Sequence, residues 1–578
     1  MRTFRVALAQ MNATVGDLQG NVAKMLSFIE QARAQGADLI AFPELAVTGY
    51  PPEDLLFKPS FLHDNVAAME QVVAKTQGMG AVIGFAHPAH GDLFNAAAVA
   101  WDGKLVDVYH KMYLPNYGVF DEDRYFRPGN ACPVYVINGV KVGVNICEDI
   151  WYATGPTALQ RDAGAEVIIN INGSPYHAGK GLARTRMIAT RAADNQLCVA
   201  YVNMAGGQDE LVFDGHSLVC DPSGTVVRHG GQFTEDLIVH DLDISAVERA
   251  RLKSPLSRKE PVVLDSITAP KIIHVSDYKE RTKPTLKQPS PALLDPDGEV
   301  YHALVAGTRD YVRKTGFKRV LLGISGGIDS SLVASIAVDA LGPENVLGVA
   351  MPSRYSSEGS VVDARALAKN LGIEMWTVPI EPGHRAFLEM LDPKFAGTEA
   401  NVAEENIQSR IRGNLLMAIS NKFGWLVLAT GNKSEMATGY ATLYGDMSGG
   451  YAVIKDVFKT MVYRLARWRN VHGEPKAPIP VEVINKPASA ELRPGQRTEE
   501  ALLPFAVLDP VLKAYVEDDQ GYEEIVKQGY DVDVVKRVIR LVDVNEYKRR
   551  QAPPGVKITA RAFGRDRRMP IINRYRQW

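Results

Sequence analysis

The segment Arg319-Val-Leu-Leu-Gly-Ile-Ser-Gly-Gly-Ile-Asp-Ser-Ser331 is an apolar run that ends in a Ser- and Gly-rich turn and opens an apolar helical stretch. Strand, tight turn and helix in that order read as one unit of a doubly wound α/β sheet, whose ligands gather at the carboxyl ends of the strands. Two adjacent glycines, Gly326 and Gly327, let main-chain N–H groups approach anionic oxygens, and the hydroxyls of Ser325, Ser330 and Ser331 add donors. The helix that follows directs its positive end at the same point. The stretch Gly323, Ile324, Ser325, Gly326, Gly327, Ile328, Asp329, Ser330 therefore reads as a cradle for nucleotide phosphates, against the plain alternative of a Gly-rich turn without a ligand. It lacks the G-x-x-x-x-G-K-[ST] pattern of kinase-like loops, and Asp329 is placed where a carboxylate can hold Mg²⁺.

A chain of 578 residues, 46% of them hydrophobic, has room for two or more domains. From residue 4 to about 245, short β-rich runs alternate with helical patterns: Phe4 to Ala9, Leu39 to Phe42, Ala81 to Ala86, Leu105 to Tyr109, Val142 to Ile146, Val167 to Ile171 and Val199 to Asn203. Turns such as Asp102-Gly103 and Pro222-Ser-Gly224 mark hairpin-like pairs among them, so this half is not a simple parallel array. Between about 250 and 295 the pattern weakens, and Pro284, Pro289, Pro291 and Pro296 cluster among charged residues. Beyond it, strands over 318 to 324, 346 to 351 and 425 to 430 alternate with helices. The expected domains are 1–245, a linker 246–296, and 297–578 ending in a basic tail.

A formal net charge of -2 gives no reason to expect nucleic acid or an acidic membrane surface. Cys132, Cys147, Cys198 and Cys220 form no C-x-x-C pair, which suits a reducing compartment. The first residues begin a strand-like run rather than a signal peptide, and no stretch approaches about 18 uninterrupted apolar residues. A cytoplasmic location is expected.

Cys147 ends the run Val142-Gly-Val-Asn-Ile146 and begins Cys-Glu-Asp-Ile-Trp151, which sets a thiol at a strand end. Alone it would read as buried filler. Phe42-Pro-Glu44-Leu and His110-Lys111-Met-Tyr-Leu-Pro-Asn-Tyr117-Gly-Val-Phe-Asp-Glu122 also follow strand-like runs, and alone Glu44 and Lys111 would be solvated or ion-paired charges. Taken together, Glu44, Lys111 and Cys147 in this chain order resemble the nitrilase or carbon-nitrogen hydrolase family over roughly residues 1–245. The resemblance implies an αββα sandwich in which Glu44 takes the thiol proton, Cys147 attacks an amide carbon and the Lys111 ammonium stabilises the oxyanion. It matches Glu122 to the family's second acid. In glutamine-using members, the stretch found here as Ser174-Pro-Tyr-His-Ala-Gly-Lys180, with a Tyr after the catalytic Lys, contacts the amino acid head of the substrate. That carries Tyr117, Ser174 and Lys180 over as glutamine contacts.

In the other half the phosphate cradle resembles that of the N-type ATP pyrophosphatases, of adenine nucleotide alpha hydrolase-like fold. Glu404-Glu-Asn406 through Arg412-Gly413, Ala429-Thr430-Gly-Asn-Lys433-Ser-Glu435, Asn485-Lys486-Pro-Ala-Ser and Asn545-Glu-Tyr-Lys548-Arg-Arg narrow the resemblance to the glutamine-dependent NAD synthetase family. It covers nearly the whole chain. The implied reaction adenylates the nicotinate carboxylate of deamido-NAD with ATP and displaces AMP with ammonia from glutamine. The resemblance gives ATP the 323–330 loop and Thr430, deamido-NAD the residues Asn406, Glu435 and Lys548, and Mg²⁺ the carboxylates of Asp329 and Glu435. Lys486 is read as neutralising developing pyrophosphate charge.

From Lys548 to Trp578 the tail carries ten basic residues and one acid, Asp566. Phosphate neutralisation, internal pairing and subunit contact explain it better than RNA binding does. Arg549 and Arg550, beside Lys548, read as solvated or ion-paired. Another ATP-loop amidotransferase, such as a GMP synthetase, and a binding protein on a dead nitrilase scaffold are the rival readings; the intact Glu44, Lys111 and Cys147 speak against the scaffold. The family resemblance implies a homo-oligomer, with glutamine, ATP and deamido-NAD as small-molecule partners and neither nucleic acid nor membrane.

Overall fold

The computed structural model describes residues 2–253, 270–286 and 289–578. Two compact units emerge, one of Met1–Gln208 with Val212–Leu294 and one of Asp209–Leu211 with Asp295–Trp578.

The first unit holds two mixed sheets face to face. One orders its strands Asp236–Asp243, Thr3–Gln10, Leu39–Ala41, Gly80–Ala89, Asp92–Trp101 and Lys104–His110. The other runs Val226–His229, Leu218–Cys220, Cys198–Asn203, Val167–Asn172, Val140–Ile146, Val134–Ile137 and Ile272–His274. Side-chain alternation along each strand builds the layers. Phe4, Val6 and Leu8 of the first sheet share one core with Val167, Ile169 and Ile171 of the second, whereas Ile168 points the other way onto Ile188 and Ala192 of the helix Lys180–Asn195. The helices Leu18–Ala34 and Pro59–Val73 cover the outer face of the first sheet, which completes an αββα sandwich.

The hairpin signal at Asp102-Gly103 is met by antiparallel pairing of Asp92–Trp101 with Lys104–His110. Part of the expected linker packs on this unit. Ile272–His274 pairs parallel with Val134–Ile137, Lys283 bridges to buried Asp38 at 2.5 Å, and Arg5 Nη1 donates to the Pro284 carbonyl at 2.8 Å.

The second unit is built on a five-stranded parallel sheet in the order Glu374–Thr377, Val346–Ala350, Val320–Gly323, Leu426–Ala429, Tyr451–Ala452. Successive strands are added on one side of Val320–Gly323 and then, from Leu426–Ala429 on, on its other side, so a crevice opens at the carboxyl ends of these two parallel neighbours, where doubly wound sheets bind ligands. The strand Val320–Gly323 is buried on both faces and leads straight into the helix Ile328–Leu341. A helical layer completes the unit. The helix Val532–Val544, capped by the Asp531 side chain, buries Val535, Val538, Ile539 and Val542 at helical spacing against Leu508 and Leu512. Among the described residues, no helix is long and apolar enough to cross a membrane.

Candidate active sites

In the first unit, strand ends converge. Glu44 lies in the turn after Leu39–Ala41, Lys111 directly after Lys104–His110, Cys147 directly after Val140–Ile146, and Ser174 just after Val167–Asn172. The Glu44 turn lies flat on Gly84, where a Cβ would stand 2.2 Å from the Pro43 carbonyl oxygen and 2.5 Å from Leu45 N. A glycine is required there. Cys147 has a φ of 44°, so the chain turns sharply at the thiol, a conformation that costs about 1 to 3 kcal/mol and persists only where the surroundings enforce it.

Lys111 Nζ donates to Glu44 Oε1 at 2.6 Å and to the two Glu122 oxygens at 2.9 and 2.8 Å. All three side chains are buried. Asn95 Nδ2 donates to Glu44 Oε1 at 2.7 Å, Gly173 N to Glu44 Oε2 at 2.8 Å, and the Tyr50 hydroxyl to Glu122 Oε1 at 3.1 Å. Burial opposes charge on Lys111, but Glu122 and Glu44 outweigh it and hold the group well above the usual lysine range. Burial pushes Glu122 up to about 7, with Lys111 pulling it down and the Glu44 charge raising it again. Burial likewise lifts the Cys147 thiol well above its ordinary value, the Glu44 charge adding to the effect and Lys111 opposing it. The resting sulfur is thus a thiol, and a thiolate forms only as its proton is handed over.

Tyr117 is exposed, and its hydroxyl donates to Glu148 Oε2 at 2.9 Å, beside the thiol in sequence. Ser174 is buried, its N–H donating to Asn203 Oδ1 at 2.9 Å. Lys180 opens the helix Lys180–Asn195 and sets its ammonium 5.7 Å from the centre of the Trp151 ring. The sequence reading missed Asn95, whose one signal is a polar residue inside the apolar run Phe94-Asn-Ala-Ala-Ala-Val99.

In the second unit a cavity of about 340 Å³ opens where the strand order switches sides, lined by Gly323, Ile324, Ser325, Gly327, Ile328, Asp329 and Ser330 together with Thr430, Glu435 and Lys486. Gly326 shapes the turn from behind, with a φ of 79° and no space for a Cβ, which would stand 2.2 Å from the Ser360 carbonyl oxygen. First-turn amides of the helix Ile328–Leu341 lack acceptors within the helix by geometry and suit an anion. Ser409, Arg412, Gly413 and Leu416 form a stripe of the helix Val402–Phe423 along another wall.

Asn432 Oδ1 accepts from Glu435 N at 3.0 Å, its Nδ2 donates to Asp329 Oδ1 at 2.9 Å and its main-chain N–H donates to Glu435 Oε2 at 3.2 Å, so this one residue contacts both carboxylates. Lys459, also in the wall and unmarked by any motif, pairs with Asp329. Burial pushes Glu435 up to about 8, the Asp329 charge adding and Lys459 opposing. Two carboxylates short of positive charge beside a phosphate cradle are a suitable donor set for Mg²⁺, which takes few protein oxygens where phosphates supply others. Lys486 Nζ donates to Asp363 Oδ2 at 2.7 Å.

Asn406 and Lys548 stand outside this wall. Asn406 lies one turn before Ser409 on the same stripe, and its Oδ1 accepts from the Thr442 hydroxyl at 2.8 Å. Lys548 Nζ donates to the carbonyls of Gly439 and Ala441 at 2.7 and 2.9 Å, on either side of Tyr440, a wall residue. Arg549 is buried rather than solvated: Nη2 pairs with Glu546 at 2.8 Å and Nη1 donates to the Ala437 carbonyl at 2.9 Å. Arg550, largely exposed, pairs with the other Glu546 oxygen.

Comparison with known proteins bears on both units. Residues 5–252 match the carbon-nitrogen hydrolase family and residues 300–552 the NAD synthase family. The chain is 49% identical over 583 residues to the glutamine-dependent NAD(+) synthetase of Thermotoga maritima, covering 100% of both chains. It is 46% identical to that of Aquifex aeolicus, covering 99% of this chain and 100% of the other. Among solved structures, glutamine-dependent NAD+ synthetase from Acinetobacter baumannii in complex with ADP is similar at 41% identity and a TM-score of 0.73, over 99% of each chain.

Proposed function

The chain belongs to the glutamine-dependent NAD(+) synthetases and has glutamine-dependent NAD synthetase activity, and from that premise we propose which side chains carry each half of the reaction. In the first unit Glu44 takes the Cys147 proton as sulfur attacks the side-chain amide carbon of glutamine, and the Lys111 ammonium stabilises the resulting oxyanion. The intermediate expels ammonia with the proton returned by Glu44 and leaves a glutamyl thioester. Water, losing a proton to Glu44, then cleaves the thioester to glutamate and free thiol. Glu122 fixes Lys111 in its charged form. Tyr117, Ser174 and Lys180 bind the amino acid end of glutamine, Tyr117 acting together with Glu148.

In the second unit the nicotinate carboxylate of deamido-NAD attacks the α-phosphorus of ATP, releasing pyrophosphate, and ammonia displaces AMP from the acyl adenylate to give NAD. The loop 323–330 and Thr430 hold ATP; that this chain binds an adenine nucleotide is supported by the Acinetobacter baumannii relative solved in complex with ADP. Asp329 and Glu435 would hold Mg²⁺, which when bound supplies charge neutralisation at the phosphates. Lys486 faces the leaving pyrophosphate. Asn406, Glu435 and Lys548 serve deamido-NAD, with Lys548 acting through the 439–441 carbonyls that flank Tyr440. The same reading makes the enzyme a cytoplasmic homo-oligomer.

The observation that supports this most is the Lys111 ammonium held between two buried carboxylates beside a buried thiol. Cys147→Ala tests it: glutamine-supported NAD synthesis should vanish while ammonium-supported synthesis continues. Equal loss with both nitrogen donors, in a folded protein, would reject the two-site assignment.

A further inference from the structure

Asp149 is fully buried, two residues after the thiol, and no charged side chain lies within its hydrogen bonds. Its Oδ1 accepts from Met112 N at 3.1 Å and Tyr113 N at 2.9 Å. Its Oδ2 accepts from Ile146 N at 3.0 Å and from the Tyr109 hydroxyl at 2.7 Å. A carboxylate offers about four acceptor sites, so these four donors fill it and leave none for a substrate. The donors bracket the two reacting groups in the chain: Tyr109 and Met112 with Tyr113 lie on either side of Lys111, while Ile146 immediately precedes Cys147 and Asp149 itself closes the turn after it.

We propose that Asp149 is a positioning residue of the amide-cleaving site, a tie that fixes the segment carrying the Lys111 ammonium against the strained turn carrying the Cys147 thiol. The inference rests on the roles given above to Lys111 and Cys147. An ammonium can stabilise an oxyanion only from one side of the carbon that the sulfur attacks, and displacement of about 1 Å can cost a hundredfold in rate. Most of Lys111's own anchorage is to Glu44 and Glu122. Neither of these acids hydrogen-bonds to the Cys147 turn, whereas Asp149 reaches both segments. An amide in its place keeps one oxygen but turns an NH₂ toward donors. With the oxygen on Met112 and Tyr113, the Ile146 N–H loses its acceptor; with the amide flipped, the Met112 and Tyr113 N–H groups lose theirs.

The test is steady-state glutamate release by the full-length Asp149→Asn enzyme, with Tyr109→Phe and Cys147→Ala in parallel. For Asp149→Asn the expected result is a fall in kcat of about 10- to 100-fold with the KM for glutamine within about twofold. Tyr109→Phe, which removes one of the four donors and keeps the carboxylate, should lower kcat by about 2- to 5-fold, again without a change in KM. NAD synthesis from ammonium should be unchanged in both. Three outcomes overturn the inference: an Asp149→Asn kcat within twofold of wild type, a raised KM at unchanged kcat, or a loss that extends to ammonium-supported synthesis. Glutamate release that survives Cys147→Ala would instead remove the site assignment on which the inference rests.

Discussion

Replacing Lys111 by Met separates the charge of this residue from its bulk. The two side chains are similar in length, so the space is kept and what leaves is an ammonium bonded at 2.6 to 2.9 Å to two carboxylates, with none of the three more than 6% exposed. Two losses follow. The oxyanion loses its cationic donor, about 10²- to 10³-fold in kcat by analogy with other oxyanion donors. In addition, Glu44 and Glu122 are left as a buried like-charged pair bridged by Asn95, which cannot both stay ionised. The site then takes up a proton at neutral pH and the base is compromised, so the combined fall in glutamate release should reach at least about 10³-fold.

Breaking a buried ion pair costs about 3 to 5 kcal/mol of stability, lessened wherever one carboxylate is protonated. The sign of the pH dependence follows from the direction of the shift. Glu122 already titrates in the folded protein near 7, above the ordinary 4.5, and without Lys111 it should rise further. A carboxyl with a raised folded value contributes its stability below the unfolded value and loses it as pH rises through the folded one. The variant should therefore lose less stability at pH 5 than at pH 8. Thermal unfolding at the two pH values, with glutamate release measured alongside ammonium-supported NAD synthesis, checks both parts. Glutamate release within tenfold of wild type, or equal destabilisation at pH 5 and pH 8, would refute the reasoning.

Asp329→Asn and Glu435→Gln should lower NAD synthesis from either nitrogen donor and raise the Mg²⁺ concentration required, while basal glutamate release survives; full ammonium-supported activity across a Mg²⁺ titration would reject the metal role of that residue. Lys548→Ala should weaken deamido-NAD binding by about 1 to 3 kcal/mol, roughly 5- to 150-fold by calorimetry, because two carbonyls around a wall residue of the cavity lose their donor. The adjacent arginines should behave differently: Arg549→Ala should cost about 3 to 5 kcal/mol of folding stability by leaving Glu546 buried with weaker pairing, and Arg550→Ala about 0 to 1 kcal/mol. Three similar small affinity losses that shrink with salt would point to a diffuse basic field instead.

Much of this protein was readable without coordinates because the signals are local. An apolar strand that runs into Ser-Gly-Gly and a helix fixes its own conformation over a dozen residues, and alternation in runs such as Val167 to Ile171 tells which side chains face a core. Glu44, Lys111 and Cys147, the reacting groups proposed above, stood out because each follows a strand-like run within a motif. The prolines near 284 suggested a linker because composition reports local stiffness, not whether a neighbouring strand is available to pair; within that stretch Ile272–His274 found one. Arg549 was read as solvated or ion-paired; it does pair with Glu546, but nothing local reveals that carbonyls of 436 and 437 also lie within its reach and bury it.

Asn95, Asp149, Asn432 and Lys459 were given no role from the sequence for a deeper reason. Their partners Glu44, Met112, Asp329 and again Asp329 are 51, 37, 103 and 130 residues away. A sequence pattern reports how a side chain is oriented on its own helix or strand. Which distant oxygen or nitrogen it then meets is set by the order in which the sheets lay their strands side by side, and that order is decided by burying the whole core at once.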